Sequence, residues 1–99
     1  MVHELKAWPK GFKEIVQDLK LYELRKNDRD YQVGDELLLR EWDPETEEYT
    51  GNRCQVKVLY IYVAEDTSWG LLPGYCCMSI QKVWCDPYVE GGTKNVNAV

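Results

Sequence analysis

The segment PKGFKEIVQDLKLYELRK, residues 9–26, contains the change of periodicity that decides the fold. Its first half predicts a helix that begins at Pro9 and ends near residues 18–20, because its apolar side chains recur at the i, i+3, i+4, i+7 spacing of one helical face. From residue 21 onward apolar and charged side chains alternate, which predicts a half-buried strand over residues 21–26. The apolar helical face consists of Phe12, Ile15, Val16 and Leu19.

The chain that follows predicts a long hairpin and a last strand. Residues 36–42 are rich in leucine and predict a strand, and residues 43–52 have the composition of a hairpin tip. The returning strand, residues 53–63, becomes apolar on both faces over residues 59–63, which predicts that both sides are covered there. The remaining predicted elements are a loop over 64–74 and a strand over 75–84.

One short helix followed by four or five strands is an α+β pattern. A chain of 99 residues is long enough for one domain, which we predict over residues 1–85. Five strands in so small a domain do not easily remain a flat sheet, and closure into a small β-barrel with the helix packed on it removes the exposed edges. Residues 86–99 offer no core side chains and predict a flexible tail.

The net charge of −5 at first argues against a nucleic-acid partner. Residues 34–52, however, hold one arginine and seven acids, a net of −6, and the remainder of the chain is close to balanced. The acidity therefore belongs to the predicted hairpin. It permits one local site for a nucleic acid and argues against broad, charge-driven coating.

The composition also bounds the class of protein. No apolar run approaches the ~18 residues of a membrane span, and the N-terminal residues lack the plan of a signal peptide, so we expect a cytoplasmic protein. The four cysteines form no C-x-x-C pair and one histidine is present, which favours reduced structural thiols over a metal site. We expect neither a metal nor another cofactor. The cysteines are Cys54, Cys76, Cys77 and Cys85.

The candidate chemistry lies in residues 20–29. In an extended strand Glu23 and Arg25 share one face about 7 Å apart. A carboxylate and a guanidinium side by side can orient a polar ligand, because one accepts and the other donates hydrogen bonds. Lys26 and Arg29, together with Lys20, add positive charge nearby. A salt-bridged, solvated strand face is the alternative interpretation of the same spacing.

The sequence DLKLYELR at residues 18–25 resembles the G-x-K-x-x-E-x-R signature of ASCH domains, which are relatives of PUA-type RNA-binding barrels. The resemblance covers roughly residues 3–84. Among ASCH domains, the sequence is similar to a subgroup of short, uncharacterised ASCH-like proteins of phages and bacteria. Asp18 stands where the signature has glycine. The other segments that carry the resemblance are HELK at 3–6, WP at 8–9, VGD at 33–35, LREWDP at 39–44 and PGY at 73–75.

This resemblance implies a cleft between the helix and the barrel, lined by Lys20, Glu23 and Arg25, that takes RNA or a nucleotide-like ligand. His3 and Lys6 are expected to border the same cleft, and Tyr75 is expected to stack on the ligand. Aspartate tolerates a positive φ less well than glycine. Asp18 is also expected to place a negative charge beside the cleft.

Two other functions fit the sequence. One is a small hydrolase acting on modified nucleosides or RNA, with Lys20 and Glu23 transferring protons and His3 as a further acid or base. In the amidohydrolase-like relatives a hydroxyl residue occupies the position of Glu23, so that mechanism does not transfer directly. The other is a protein-interaction module that uses the acidic hairpin, residues 43–49.

Overall fold

The computed structural model describes residues 1–64 and 70–86. Within these residues the strands form one five-stranded sheet in the order β1-β3-β4-β5-β2, which curls into a half-barrel beside one short helix. β1 pairs with β3 in parallel, and the other neighbouring strands are antiparallel. The elements are β1 (Val2–Ala7), α1 (Pro9–Val16), β2 (Tyr22–Lys26), β3 (Glu36–Asp43), β4 (Glu48–Val63) and β5 (Tyr75–Asp86).

The α+β prediction and most of the predicted elements agree with this structure. Part of the predicted loop, residues 65–69, and residues 87–99 of the predicted tail lie outside the described residues. Asp86, which was predicted to begin the tail, is instead the last residue of β5 and pairs with Arg53 across the strands.

Strand β1 precedes the helix and was not predicted. Its side chains alternate strictly, with His3, Leu5 and Ala7 buried and the residues between them exposed. A histidine and an alanine give this alternation little apolar contrast, so the period of 2 is weak in the sequence. The strand is fixed by parallel pairing with β3, more than thirty residues away in the chain.

The core lies between α1 and the concave face of the sheet. Phe12 and Ile15 of α1 are buried there, against fully buried residues such as Leu37, Leu39, Val56 and Met78. Leu19 was predicted to complete the apolar helical face, but it is 74% exposed. The helix ends at Val16, and the turn that follows directs Leu19 away from the core.

The C-terminus of α1 closes in a Schellman motif. The Leu19 amide donates to the Glu14 carbonyl at 2.9 Å and the Asp18 amide donates to the Ile15 carbonyl at 3.1 Å. Asp18, at the C′ position, has a φ of 61°, the left-handed conformation that favours glycine. Lys82 Nζ donates to Asp18 Oδ2 at 3.1 Å and to the Val16 carbonyl at 2.9 Å. The Asp18 carboxylate is therefore neutralised by β5.

The hairpin tip is shorter than predicted. β3 and β4 pair as far as Asp43 and Glu48, where a tip over residues 43–52 was predicted. The pairing shifts between Arg40 and Trp42, opposite Gly51, which has a φ of 98°. The glycine that suggested a turn therefore lies in a β-bulge, which bends the hairpin without ending it.

The prediction that residues 59–63 are covered on both faces is wrong. Tyr60 is 63% exposed, and Leu59 and Val63 are also exposed, whereas Ile61 packs against the core. Among the described residues α1 covers the concave face of the sheet but leaves these three side chains of β4 exposed.

Two arginines bridge the gap between the edge strands β1 and β2. Arg25 Nη2 donates to the Lys6 carbonyl at 2.8 Å, and Arg29 Nη1 donates to the Glu4 carbonyl at 3.1 Å. Both carbonyls belong to the edge of β1 that faces away from β3. Side chains thus take the place of a backbone ladder where the half-barrel would otherwise remain open.

We predict that Asp18→Gly stabilises the protein and Asp18→Ala destabilises it. Glycine removes the left-handed strain, worth about 1 kcal/mol, against the loss of an exposed ion pair worth a few tenths. Alanine keeps the strain and loses the pair. Urea unfolding should therefore show a free energy about 0.5 kcal/mol higher for D18G and about 0.3 kcal/mol lower for D18A. Equal stabilities of D18G and D18A would contradict the role assigned to this turn.

Candidate functional site

A cavity of about 540 Å³ opens between α1 and β2. This volume lies within the range of small-molecule sites in proteins. Four basic residues and one acidic residue contribute to its wall, together with apolar residues of the helix. The lining residues are Lys6, Ala7, Trp8, Gly11, Phe12, Ile15, Lys20, Glu23, Leu24, Arg25, Lys26 and Tyr75.

Glu23 is the centre of the polar wall. It is 4% exposed, and its two carboxylate oxygens face two different cations. Arg25 Nε donates to Oε2 at 2.6 Å, and Lys20 Nζ lies 3.4 Å from Oε1. A buried carboxylate is stable only when it is paired in this way. The shared face of Glu23 and Arg25 is confirmed, as are the salt bridges of the alternative interpretation, but the burial of Glu23 argues against a fully solvated strand face.

Arg25 has a second role in the same wall. Its Nε is used by Glu23 and one N–H of Nη2 is used by the Lys6 carbonyl. A guanidinium carries five N–H donors, so three remain after these two hydrogen bonds. The side chain is one-quarter exposed, at the edge of the cavity. Arg25 is therefore fixed in position and still able to donate to a ligand.

Gly11 is a cavity residue that the sequence analysis missed. A Cβ at this position would lie 3.4 Å from Lys20 Nζ, in van der Waals contact, so a longer side chain would enter the space of the ammonium group. A glycine inside a helix is less favourable than alanine by about 1 kcal/mol. A glycine within the predicted helix was therefore the sequence signal that another group approaches the helix closely at this position.

The structure brings most of the predicted site residues to this cavity. Lys6, Lys26 and Tyr75 line it together with the Lys20–Glu23–Arg25 cluster. Trp8, which was not predicted as a site residue, lies at the cavity and is 61% exposed. The Trp8-Pro9 pair at the predicted start of the helix was the available signal in the sequence.

Arg29 and His3 do not line the cavity. Arg29 donates to the Glu4 carbonyl and belongs to the bridge between the edge strands. His3 was expected to border the cleft, but strand alternation turns its side chain into the core, where its ring is buried. It lies about 10 Å along β1 from Lys6.

Comparison with known proteins adds a family to this geometry. Residues 2–80 match the family described as a domain of unknown function, DUF3850. The chain belongs to the DUF3850 family. The match spans all five strands in part or in full and includes every residue that lines the cavity.

A phage protein is similar to this DUF3850 chain. It is described as an uncharacterized 12.9 kDa protein in the GpA 3′ region of Escherichia phage P2. The two are 35% identical over 57 residues, which cover 58% of this chain and 50% of the phage protein. The DUF3850 chain thus spans about half the length of this relative.

Three further properties of the described residues of the DUF3850 chain concern metal ligands, thiols and membrane spans. Across residues 1–64 and 70–86, no group of three or more His, Cys, Asp or Glu side chains is placed to hold a metal ion. The four cysteines are free thiols, and burial raises the pKa of Cys76. No helix in these ranges is long and apolar enough to cross a membrane.

His3 forms a buried pair with Asp35. Its Nε2 donates to Asp35 Oδ2 at 2.8 Å, because an ionised carboxylate can only accept. The backbone N–H of Gln32 donates to the same oxygen at 3.0 Å. The Tyr31 ring packs edge-to-face against the imidazole, with 4.9 Å between the ring centroids. The hydrogen bond from His3 is the main reason that the pKa of Asp35 lies below its ordinary value. His3 therefore has a structural partner away from the cavity.

We predict that Asp35 makes the stability of the protein acid-sensitive. A carboxyl whose pKa is lower in the folded state stabilises that state fully above its unfolded pKa of about 4, and this contribution is lost as the pH falls through the folded value. Asp35→Asn should therefore lower the unfolding free energy at pH 7 and reduce its decrease between pH 5 and pH 2. Urea unfolding across this range measures both effects.

The exposed Asp28→Asn variant is the control for this experiment. It should retain the acid-dependent decrease of the parent protein. Parallel pH profiles for D35N and the parent would contradict the assignment.

Proposed function

We propose that the cavity between α1 and β2 binds RNA or a nucleotide-like ligand. The observation that carries this proposal is the buried Glu23, which holds the Lys20 and Arg25 head groups in the wall of an open cavity. Fixed cations with unused donors suit the oxygens of a phosphate, and a guanidinium also matches the edge of a base. With Lys26, three cations against one carboxylate leave the wall positive.

The apolar part of the wall supports the same ligand class. Trp8 and Tyr75 are exposed aromatic side chains at the cavity, and Phe12 and Ile15 form buried apolar surface beneath it. Unstacked bases are commonly recognised by stacking on such rings. A cavity lined by both cations and exposed aromatic rings is therefore suited to a phosphate joined to a base.

The ASCH resemblance of residues 18–25 points to the same three polar residues. The departure at Asp18 does not weaken it, because the carboxylate is paired with Lys82 and Asp18 does not line the cavity. We infer a PUA-like relation on this basis, and the curled five-stranded sheet with one helix is consistent with it.

Binding is better supported than the hydrolase alternative. Both Glu23 oxygens face cations, so neither is free to take a proton from a substrate. His3, the other proposed acid or base, is bonded to Asp35. The candidate catalytic groups are thus engaged in pairs that favour a positioning role for Glu23.

We predict that Lys20→Gln weakens binding of a fluorescein-labelled trinucleotide RNA pool about tenfold, which corresponds to the loss of one charge-assisted hydrogen bond. Fluorescence anisotropy at 50 mM and 200 mM salt measures the affinity and its salt dependence. Within residues 1–64 and 70–86 the Lys20 ammonium contacts the side chains of Glu23 and Tyr22, and Arg25 still pairs with Glu23 in the variant, so K20Q should fold.

Lys13→Gln, which removes the same charge from an exposed position on α1, is the matched control. Its affinity should stay within about twofold of the parent, since it lies outside the cavity. Equal affinities of K20Q and K13Q for the pool, with both variants folded, would refute the proposed site.

A further inference from the structure

The convex face of the sheet carries a row of three cations. Lys6 of β1 is opposite Arg40 of β3, and Arg40 is opposite Arg53 of β4. Neighbouring strands are about 4.8 Å apart, so the three side chains follow one another across the sheet at that spacing. Like charges at directly opposed positions destabilise a sheet. Such a row is favoured when an anion lies along it.

Each of these cations lies on an aromatic ring. Lys6 Nζ is 4.0 Å from the centroid of Trp42, Arg40 Cζ is 3.9 Å from that of Tyr49, and Arg53 Cζ is 5.4 Å from that of Trp84. Trp42 and Tyr49 are themselves opposed across β3 and β4. Tyr49 is 42% exposed and Trp84 is 36% exposed. We call these three cations and three rings the cation–aromatic face.

The carboxylates near this face do not neutralise it firmly. Glu4 lies 3.7 Å from Arg40, and Asp86 accepts from Arg53 at 2.8 Å. Both acids are about 60% exposed, and exposed ion pairs contribute at most about 1 kcal/mol. A phosphate can therefore take their place.

Lys6 connects this face to the cavity. Lys6 lines the cavity, and its backbone carbonyl accepts a hydrogen bond from Arg25, while its ammonium group lies on the Trp42 ring. A ligand that leaves the cavity past Lys6 meets Arg40 and Tyr49 next. Lys6 is therefore common to the cavity and the face.

We propose that the cation–aromatic face binds a single-stranded polynucleotide, whose phosphates lie on the row of cations and whose bases stack on the rings and guanidinium planes. This inference rests on the proposed function, since it makes the cavity one end of a longer binding surface. Aromatic rings can stack only on bases that are not already paired and stacked. The alternation of cations and rings is thus suited to a single strand and not to a duplex.

The test compares RNA pools of two lengths, a labelled trinucleotide and a labelled decanucleotide, by fluorescence anisotropy at several salt concentrations. The parent protein should bind the decanucleotide at least tenfold more tightly. Arg40→Gln with Arg53→Gln should remove most of this advantage and reduce the salt slope for the decanucleotide by about 1.4, from two lost phosphate contacts. Its affinity for the trinucleotide should not change. A duplex of ten base pairs should show no such advantage.

Two further variants control for charge and folding. Lys57→Gln with Lys10→Gln has the same net charge change at exposed positions outside the face, and it should keep the length advantage. Arg40→Lys with Arg53→Lys retains the charges and should retain the salt slope. Thermal unfolding shows whether each variant is folded.

The outcomes separate this inference from the proposed function. The proposed binding of RNA by the face is refuted if the parent shows no length advantage, or if the K57Q/K10Q control loses as much of that advantage as R40Q/R53Q. If K20Q leaves trinucleotide binding unchanged while R40Q/R53Q loses decanucleotide binding, the cavity proposal fails and the face stands as a site by itself. If K20Q weakens both RNAs and R40Q/R53Q weakens neither, the cavity stands and the face is refuted.

Discussion

The pairing of one buried carboxylate, Glu23, determines much of the surrounding structure. A charge removed from water needs nearby opposite charges and donors, and Lys20 and Arg25 supply them from the turn after α1 and from β2. Arg25 also donates to the Lys6 carbonyl, so the same carboxylate fixes the approach of β1. Lys20 Nζ passes close to the helix on its way to Glu23, so a side chain longer than a methyl group at residue 11 would enter its space. One acid thus links the helix, both edge strands and the wall of the cavity.

The local elements could largely be predicted from the sequence. The helix and β2 follow from the change of periodicity within residues 9–26, and the shared face of Glu23 and Arg25 follows from the period of an extended strand. These are short-range properties, set by backbone geometry and by the alternation of apolar and polar side chains. For the same reason the polar half of the candidate site was visible before the structure.

What the sequence did not reveal depends on long-range pairing. β1 exists because β3 lies beside it, and the exposure of Tyr60 depends on which face of the sheet the helix covers. A glycine is expected both in a turn and in a β-bulge, so the sequence does not say which of the two contains Gly51. The pairing register of β3 and β4 shows that it is a bulge. His3 illustrates the same point, since a one-residue alternation sends it to Asp35 in the core, whereas Lys6 on the other face reaches the cavity.

The contacts that Arg25 and Arg29 make with β1 also bear on the behaviour of the protein at high concentration. The free edge of a strand presents unpaired carbonyl and amide groups, onto which a strand of another molecule can add. Here the Glu4 and Lys6 carbonyls already accept hydrogen bonds from guanidinium groups. A second chain that approached this edge would have to displace two charged side chains before it could form a ladder. The two arginines therefore protect β1 against edge-to-edge aggregation as well as closing the half-barrel.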